Sequence, residues 1–471
     1  MRFSIGLFAI LFAPFLIAQS IDLRDNNNQY DYVIISAPDL MSSCNNFKIH
    51  KEEEGFKVFV VSTDQVYSQF NSKISKQDNL RDFISYAGTY WQYPRPKYFL
   101  LAGDLSKIPN YEYLTLSGFN DTTKTDYYYS VNLDDPDTLH TDFYVGRIAA
   151  RTAAELTNYF NKVIAYENNA NIQSWNQNSM IVSDDGKTPS GNEGNLFQDL
   201  SLETGKQFPS FINVKYYFES DTSMYYGNKD SIFNYINTTG IGIVFFIGHG
   251  NDSVFTHEKL FTLDDIHSIN SGEKYFFVSF LGKNSFSDSL STSLTDQMLF
   301  KEDGAVAGFN PVGLTFAHLG TSLLQNYINY IYSNSHLTLG EAVESVITDT
   351  PNLIKKQYNI FGDPSLKLKY DITAGVNPPV SSIAKQYKLE HNYPNPFNPS
   401  TTIGFNLPND DNVELKIYDV LGNLVTTLLN GPIKAGRHEV KFNGKDLSSG
   451  IYFYSLKATN FKQTYKMVLI K

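Results

Sequence analysis

Near residue 371 the hydrophobic pattern of this chain changes period, and that change limits the possible folds more than any other feature. From about Tyr30 to Tyr370, short apolar runs alternate with amphipathic stretches. From Tyr387 onward, apolar residues fall at every second position. The first pattern predicts alternating strands and helices with crossover connections. The second predicts short half-buried strands joined by glycine turns. Between them, residues 371–386 contain Ala374-Gly375-Val376-Asn377-Pro378-Pro379, a linker by composition.

In the first region the spacing predicts strands at 32–36, 57–62, 98–102, 143–148, 180–183, 214–218, 241–247, 275–280 and 305–309. Several are unbroken Val/Ile/Phe runs, as suits strands covered on both faces of a parallel sheet. Helices are predicted at 79–91, 152–167, 193–207, 230–237, 319–332 and 338–348. Thr152-Ala153-Ala154-Glu155 has the form of a capping box. Nine strands make either one large sheet or two adjacent sheets divided near residue 172. In the tail, Ile403, Phe405 and Leu407 share one face, as do Val413, Leu415 and Ile417, and then Tyr452, Tyr454 and Leu456. This is the pattern of a small β-sandwich.

Residues 1–18 read as a cleavable export signal: Arg2, an apolar run from Ile5 to Ala18, and a cleavage site after Ala18. No later stretch is long enough to span a membrane. The net charge of -11 argues against nucleic acid or an anionic membrane as partner. Cys44 is the one cysteine, so an internal disulfide and a cysteine-based zinc cluster are excluded.

The tail carries Tyr393-Pro394-Asn395-Pro396-Phe397-Asn398-Pro399-Ser400-Thr401-Thr402-Ile403. It continues with Val413-Glu414-Leu415-Lys416-Ile417-Tyr418-Asp419, Ala435-Gly436-Arg437-His438 and Ser449-Gly450-Ile451-Tyr452, and ends in Lys466-Met467-Val468-Leu469-Ile470-Lys471. These pieces resemble the C-terminal sorting domain of the type IX secretion system. The resemblance implies a partner in that machinery and a secreted or outer-surface location. An adhesive sandwich with no transport role is the other reading of the composition.

In the first region the run Ile241–Ile247 leads into Gly248-His249-Gly250. A histidine between glycines at the end of a buried strand lies where α/β folds place their sites. A turn histidine without a role fits the same three residues. Further pieces are Tyr98-Phe99-Leu100-Leu101-Ala102-Gly103-Asp104, Thr125-Asp126-Tyr127-Tyr128-Tyr129, Val145-Gly146-Arg147, Gly304-Ala305-Val306-Ala307-Gly308 and Asn359-Ile360-Phe361-Gly362-Asp363-Pro364-Ser365-Leu366. In this order they resemble the gingipain family of cysteine peptidases.

The resemblance implies an α/β fold, a caspase- and gingipain-like parallel-sheet domain in two subdomains, 30–171 and 172–370. A C-terminal all-β immunoglobulin-like sandwich at 387–471 follows. It implies that His249 is the general base or acid. It also implies that Gly250, with Leu281, supplies oxyanion-hole N–H groups, and that Asp142 could orient the imidazole. A solvated strand-start carboxylate is the other reading of Asp142. The family's nucleophile is a cysteine after the next strand, and that position holds Leu281 here, with Asn284 and Phe286 in register. A leucine side chain has no lone pair with which to attack a carbonyl.

No cofactor is required by this chemistry. The run Asp134-Asp135-Pro136-Asp137 offers hard oxygens for a structural Ca²⁺, or is an exposed turn. Ser279 and Ser285 are the nearest hydroxyls that could replace the thiol. Three functions follow as expectations: a secreted peptidase-fold protein that has lost proteolysis and binds a protein or peptide ligand; an active peptidase with an unrecognised nucleophile; or a structural, adhesive surface protein.

Overall fold

The computed structural model describes residues 21–470, apart from 117–120, 132–140, 170–173, 189–190, 284–285, 289–290, 334–336, 348–349, 351, 371–386, 390–391, 393–394, 396, 435, 446 and 460. The expected export signal and linker lie outside the described residues. The chain forms two compact units, one through Asp371 and one from Ile372.

The first unit is built on one ten-stranded sheet. Its strands in chain order are β1 (Tyr32–Ser36), β2 (Val58–Ser62), β3 (Tyr98–Ala102), β4 (Tyr144–Ile148), β5 (Asn178–Ser183), β6 (Asn213–Phe218), β7 (Ile243–Ile247), β8 (Phe276–Phe280), β9 (Ala305–Pro311) and β10 (Tyr358–Gly362). Across the sheet they lie in the order β6-β5-β7-β8-β9-β10-β4-β3-β1-β2. β6, β5, β7, β8 and β9 run parallel to one another. β10, β4, β3, β1 and β2 form a second parallel block. The blocks meet antiparallel where β9 pairs with β10. The alternative of two separate sheets is thereby set aside. The last strand of the second half of the chain crosses over and completes the block of the first half. The sequence pattern missed β10, because Asn359 interrupts its apolar run and Gly362 ends it.

Side chains of β1 show why such strands need cover on both sides. Tyr32 and Ile34 join one core, Val33 and Ile35 the other, and all four are fully buried. Helices cover both faces. Ala153–Asn168 is capped as expected: Glu155 N–H donates to Thr152 Oγ1, and Thr152 N–H donates back to the Glu155 carboxylate, each at 3.2 Å. Among the described residues, four helices were not anticipated: Cys44–Glu53, Thr63–Gln69, Leu294–Phe300 and the short Asn352–Lys355.

Several of the family-like pieces build the scaffold. The Arg147 guanidinium is wholly buried. It pairs with Asp126 at 2.6 and 2.8 Å and donates to the carbonyls of Gly103 and Ile108. Lys51 is buried between Glu167 at 2.6 Å and Asp363 at 2.9 Å, and Tyr32 Oη donates to Asp363. A buried charge is tolerated only when paired in this way.

The second unit has a three-stranded sheet of Lys388–Leu389, Ser400–Leu407 and Gly436–Asn443. A four-stranded sheet contains Leu424–Ile433, Asp411–Tyr418, Gly450–Ala458 and Phe461–Leu469. All pairings within these sheets are antiparallel. Ile403, Phe405, Leu407, Val413, Leu415, Ile417, Tyr454 and Leu456 are fully buried, as their alternation requires. Among the described residues no helix is long and apolar enough to cross a membrane.

Candidate active site

The ends of β5, β7 and β8 lie side by side, because these three strands are parallel neighbours in the sheet. β7 ends in Gly248-His249-Gly250. A Cβ on Gly248 would overlap the Cβ of Asp184, the residue after β5, so only glycine lets the two loops approach. That approach creates the central contact of the site. Asp184 Oδ2 accepts from the His249 backbone N–H at 2.9 Å and faces its Nδ1 at 2.7 Å. The Asp184 side chain is fully buried, whereas that of His249 is 27 % exposed.

Burial works against ionising Asp184, but the hydrogen bonds from His249 outweigh it and hold the carboxyl below its usual range. The hydrogen bond to Asp184 raises the His249 imidazole above its ordinary value, against a smaller opposing effect of burial. An ionised carboxylate at Nδ1 fixes the tautomer: Nδ1–H donates, and Nε2 is left as the nitrogen that can take up or release a proton. Nε2 lies 3.5 Å from Glu193. Phe197 meets the ring edge-on at 4.8 Å between centroids, and His257 lies 4.9 Å away. His257 thus stands beside the site. His267 is exposed in a shallow groove with Asp264 and Lys301.

The structure gives the orienting position to Asp184 and not to Asp142. Asp142 precedes β4, four strand positions from β7, on the order of 20 Å at ordinary strand spacing. Its backbone N–H donates to Ser130, and its charge acts on the buried Tyr127. One signal could have found the right carboxylate. Asp184-Asp185-Gly186 is an acidic turn directly after a predicted parallel strand, the place where such folds gather their functional groups.

Leu281 follows β8 and is 3 % exposed. Its Cδ1 lies 2.5 Å from where a Cβ on Gly320 would stand, and the Tyr358 hydroxyl lies 2.7 Å from the same point. The side chain is therefore packed under the helix Ala317–Ser333. Its backbone N–H, expected as an oxyanion donor, is already donated to the Phe246 carbonyl at 2.8 Å. Gly250 differs. It pairs with Phe255, and the flanking bond runs from Thr256 N–H to His249 O, so Gly250 occupies a non-hydrogen-bonded position of the hairpin. Its N–H therefore points away from the partner strand. The two loops touch here: a Cβ on Gly282 would come within 2.9 Å of the Gly250 backbone.

The other nucleophile candidates fare unequally. Ser279 is fully buried, and its hydroxyl donates to the Phe309 carbonyl at 2.6 Å. Cys44 begins the helix Cys44–Glu53, which packs on β2 at the far edge of the sheet, and burial pushes its thiol up to about 11. Ser285 lies outside the described residues, as do Asp134, Asp135 and Asp137 of the expected calcium run. A cluster of His50, Glu54 and Glu167 has the composition of a metal site, but the Lys51 ammonium, 3.0 Å from Glu54 and 2.6 Å from Glu167, already supplies the positive charge.

Comparison with known proteins bears on the family and the fold. Residues 25–369 match peptidase family C25, and residues 391–471 match the secretion system C-terminal sorting domain. No curated protein matches the chain. The crystal structure of the Arg-specific cysteine proteinase gingipain R aligns with a TM-score of 0.58 at 14% identity, covering 95% of this chain and 99% of that one. The complex of RgpB pro- and mature domains from Porphyromonas gingivalis aligns with the same TM-score and identity, over 93% of this chain and 100% of that one. At this identity the likeness speaks to fold. The tail is a type IX sorting domain, which directs the protein to the cell surface. With most of its length matched, the chain belongs to peptidase family C25, the gingipain family, and carries a type IX secretion sorting domain at its C-terminal end.

Proposed function

We propose that this protein holds a peptide or a surface partner in the cleft at His249 and does not cleave it by the thiol chemistry of its family. Leu281 is the observation that carries this conclusion. It stands in the nucleophile's position and is packed into the core, and its N–H is spent on Phe246. Acyl transfer needs an attacking atom within reach of the base and free donors for the oxyanion. Here the base is present, the Gly250 N–H is not bonded within its hairpin, and the family's thiol is absent from position 281. Such a caspase-like pseudoenzyme, exported by the signal at residues 1–18 and sorted by its tail, would keep recognition and lose reaction.

The intact His249–Asp184 dyad favours a second reading, an active hydrolase with another nucleophile. Ser279 argues against it, because its hydroxyl is sealed inside the sheet. Both readings meet one experiment. The purified chain is offered a broad peptide library, with retention and cleavage measured separately. Retention without cleavage, weakened by His249→Ala, is the expected result. Cleavage that disappears in His249→Ala would overturn the loss of proteolysis. Neither retention nor cleavage would favour a scaffold or adhesive role.

A further inference from the structure

Behind the dyad sits a carboxyl group that neither the family resemblance nor the proposed chemistry uses. Glu219 directly follows β6, and its N–H donates to the Ser183 carbonyl at 3.0 Å, which seats it beside Asp184. One carboxylate oxygen each of Asp184, Glu219 and Glu258 lies within 4.8 Å of the other two. Glu219 Oε1 faces the Thr256 hydroxyl at 3.4 Å. Its Oε2 has neither solvent nor a hydrogen-bond partner among the described residues. Thr256 holds a left-handed backbone, φ 64°, and its N–H donates to the His249 carbonyl at 3.0 Å. The loop that fixes Glu219 therefore also fixes His249.

We propose that Glu219 is a positioning residue for His249, acting through Asp184: the proton it carries or lacks decides how firmly the dyad holds the imidazolium. Two carboxylates this close cannot both ionise without cost, and one of them has an oxygen sealed from water. Burial, with Glu258, Asp184 and Asp185 as like charges, pushes Glu219 up to about 7, while the Thr256 hydroxyl pulls the other way. The charged and titratable groups around it are Asp184 and Asp185 after β5, with Lys187 paired to Asp185; His249 after β7, with Glu193 at its Nε2; His257 and Glu258 in the hairpin; and Asp221 on its own loop.

As Glu219 loses its proton, a negative charge appears behind Asp184 and the imidazole holds its own proton more strongly. The two groups then titrate as a pair, over a wider range than a single site. Removing the Glu219 charge should lower the His249 midpoint by roughly half to one unit, the size expected for charges several ångströms apart in a partly buried site.

The test is the titration of His249 in the full chain, followed by NMR of carbon-13-labelled histidine and assigned by signal loss in His249→Asn. A broadened curve is expected for the native chain, and a single narrower step at lower pH for Glu219→Gln. Thr256→Val, which keeps Glu219 protonated to higher pH, should move the middle of the native curve to lower pH, toward that of Glu219→Gln, and Thr256→Ser should restore it. A native curve that fits one independent site overturns the assignment, as does a Glu219→Gln curve superimposable on it. Should Glu219→Gln not fold, the native curve and the Thr256 pair decide. Glu219 acts here on a proton, so the outcome does not depend on whether the cleft binds a peptide.

Discussion

The two loops that touch at Gly250 and Gly282 belong to neighbouring strands, yet their side chains have opposite characters. The loop after β7 is polar and charged, with His249 locked to Asp184 by two hydrogen bonds. The loop after β8 opens with an apolar residue buried against Gly320 and Tyr358. One side keeps the machinery for moving a proton. The other has joined the core. A base is held by contacts with its own neighbours, so its geometry does not depend on what stands at position 281.

The largest expected effect comes from restoring chemistry to the apolar side. Leu281→Cys should create a thiol that a peptide-linked electrophile labels at neutral pH, at least about tenfold faster in the presence of His249 than in Leu281→Cys/His249→Ala, since a neighbouring imidazolium stabilises thiolate. Equal rates in the two variants would mean that the loops no longer form one site.

Next in size is the packing of Leu281 itself. Gly320→Ala places a Cβ against Leu281 Cδ1 and the Tyr358 hydroxyl, and should cost about 1–3 kcal/mol in chemical denaturation. In a Leu281→Ala background most of that cost should vanish. Strictly additive effects would show that Leu281 is packed elsewhere.

Asp184→Asn probes the polar side. Asparagine cannot accept from both His249 donors on one ionised oxygen, so a loss of about 1–3 kcal/mol near pH 6 is expected. The pH dependence carries its own sign. Asp184 lies below its unfolded value, so its contribution is present above about 3.8 and is lost as pH falls through the folded value. His249 lies above its unfolded value, so its contribution is complete below about 6.5 and is lost as pH rises through the folded value. Stability of the native chain should therefore exceed that of the variant most between these limits. A constant difference from pH 3 to pH 9 would remove the ion pair from the account.

The smallest effect is expected from Ser279→Ala. It deletes one buried hydrogen bond to Phe309 and should cost about 1 kcal/mol in thermal or chemical unfolding, with peptide retention unchanged. A large change in retention or cleavage would reinstate Ser279 as a functional hydroxyl and erase the contrast between the loops.

Much of the scaffold was legible in the chain. Apolar runs, several of them unbroken, mark nine of the ten sheet strands, because a strand covered on both faces needs an apolar side chain at nearly every position. The Thr152 cap and the period-two alternation of Ile403, Phe405 and Leu407 were equally plain, since each is set by residues close in sequence. The same locality explains the misses. β10 has its apolar run interrupted by Asn359, and the partner of His249 lies 65 residues away.

The sequence by itself determined the two kinds of unit, the tail's address and the absence of a sulfur at position 281. These depend on local period and on which atoms a side chain owns. Only the tertiary structure decided that the ten strands form one sheet with a reversal at β9 and β10, and that Asp184 rather than Asp142 orients the imidazole. It also decided that the Leu281 amide is already taken. Each of these is set by which strands lie side by side, and strand order in a parallel sheet is settled by packing and crossover geometry that no local stretch of residues encodes.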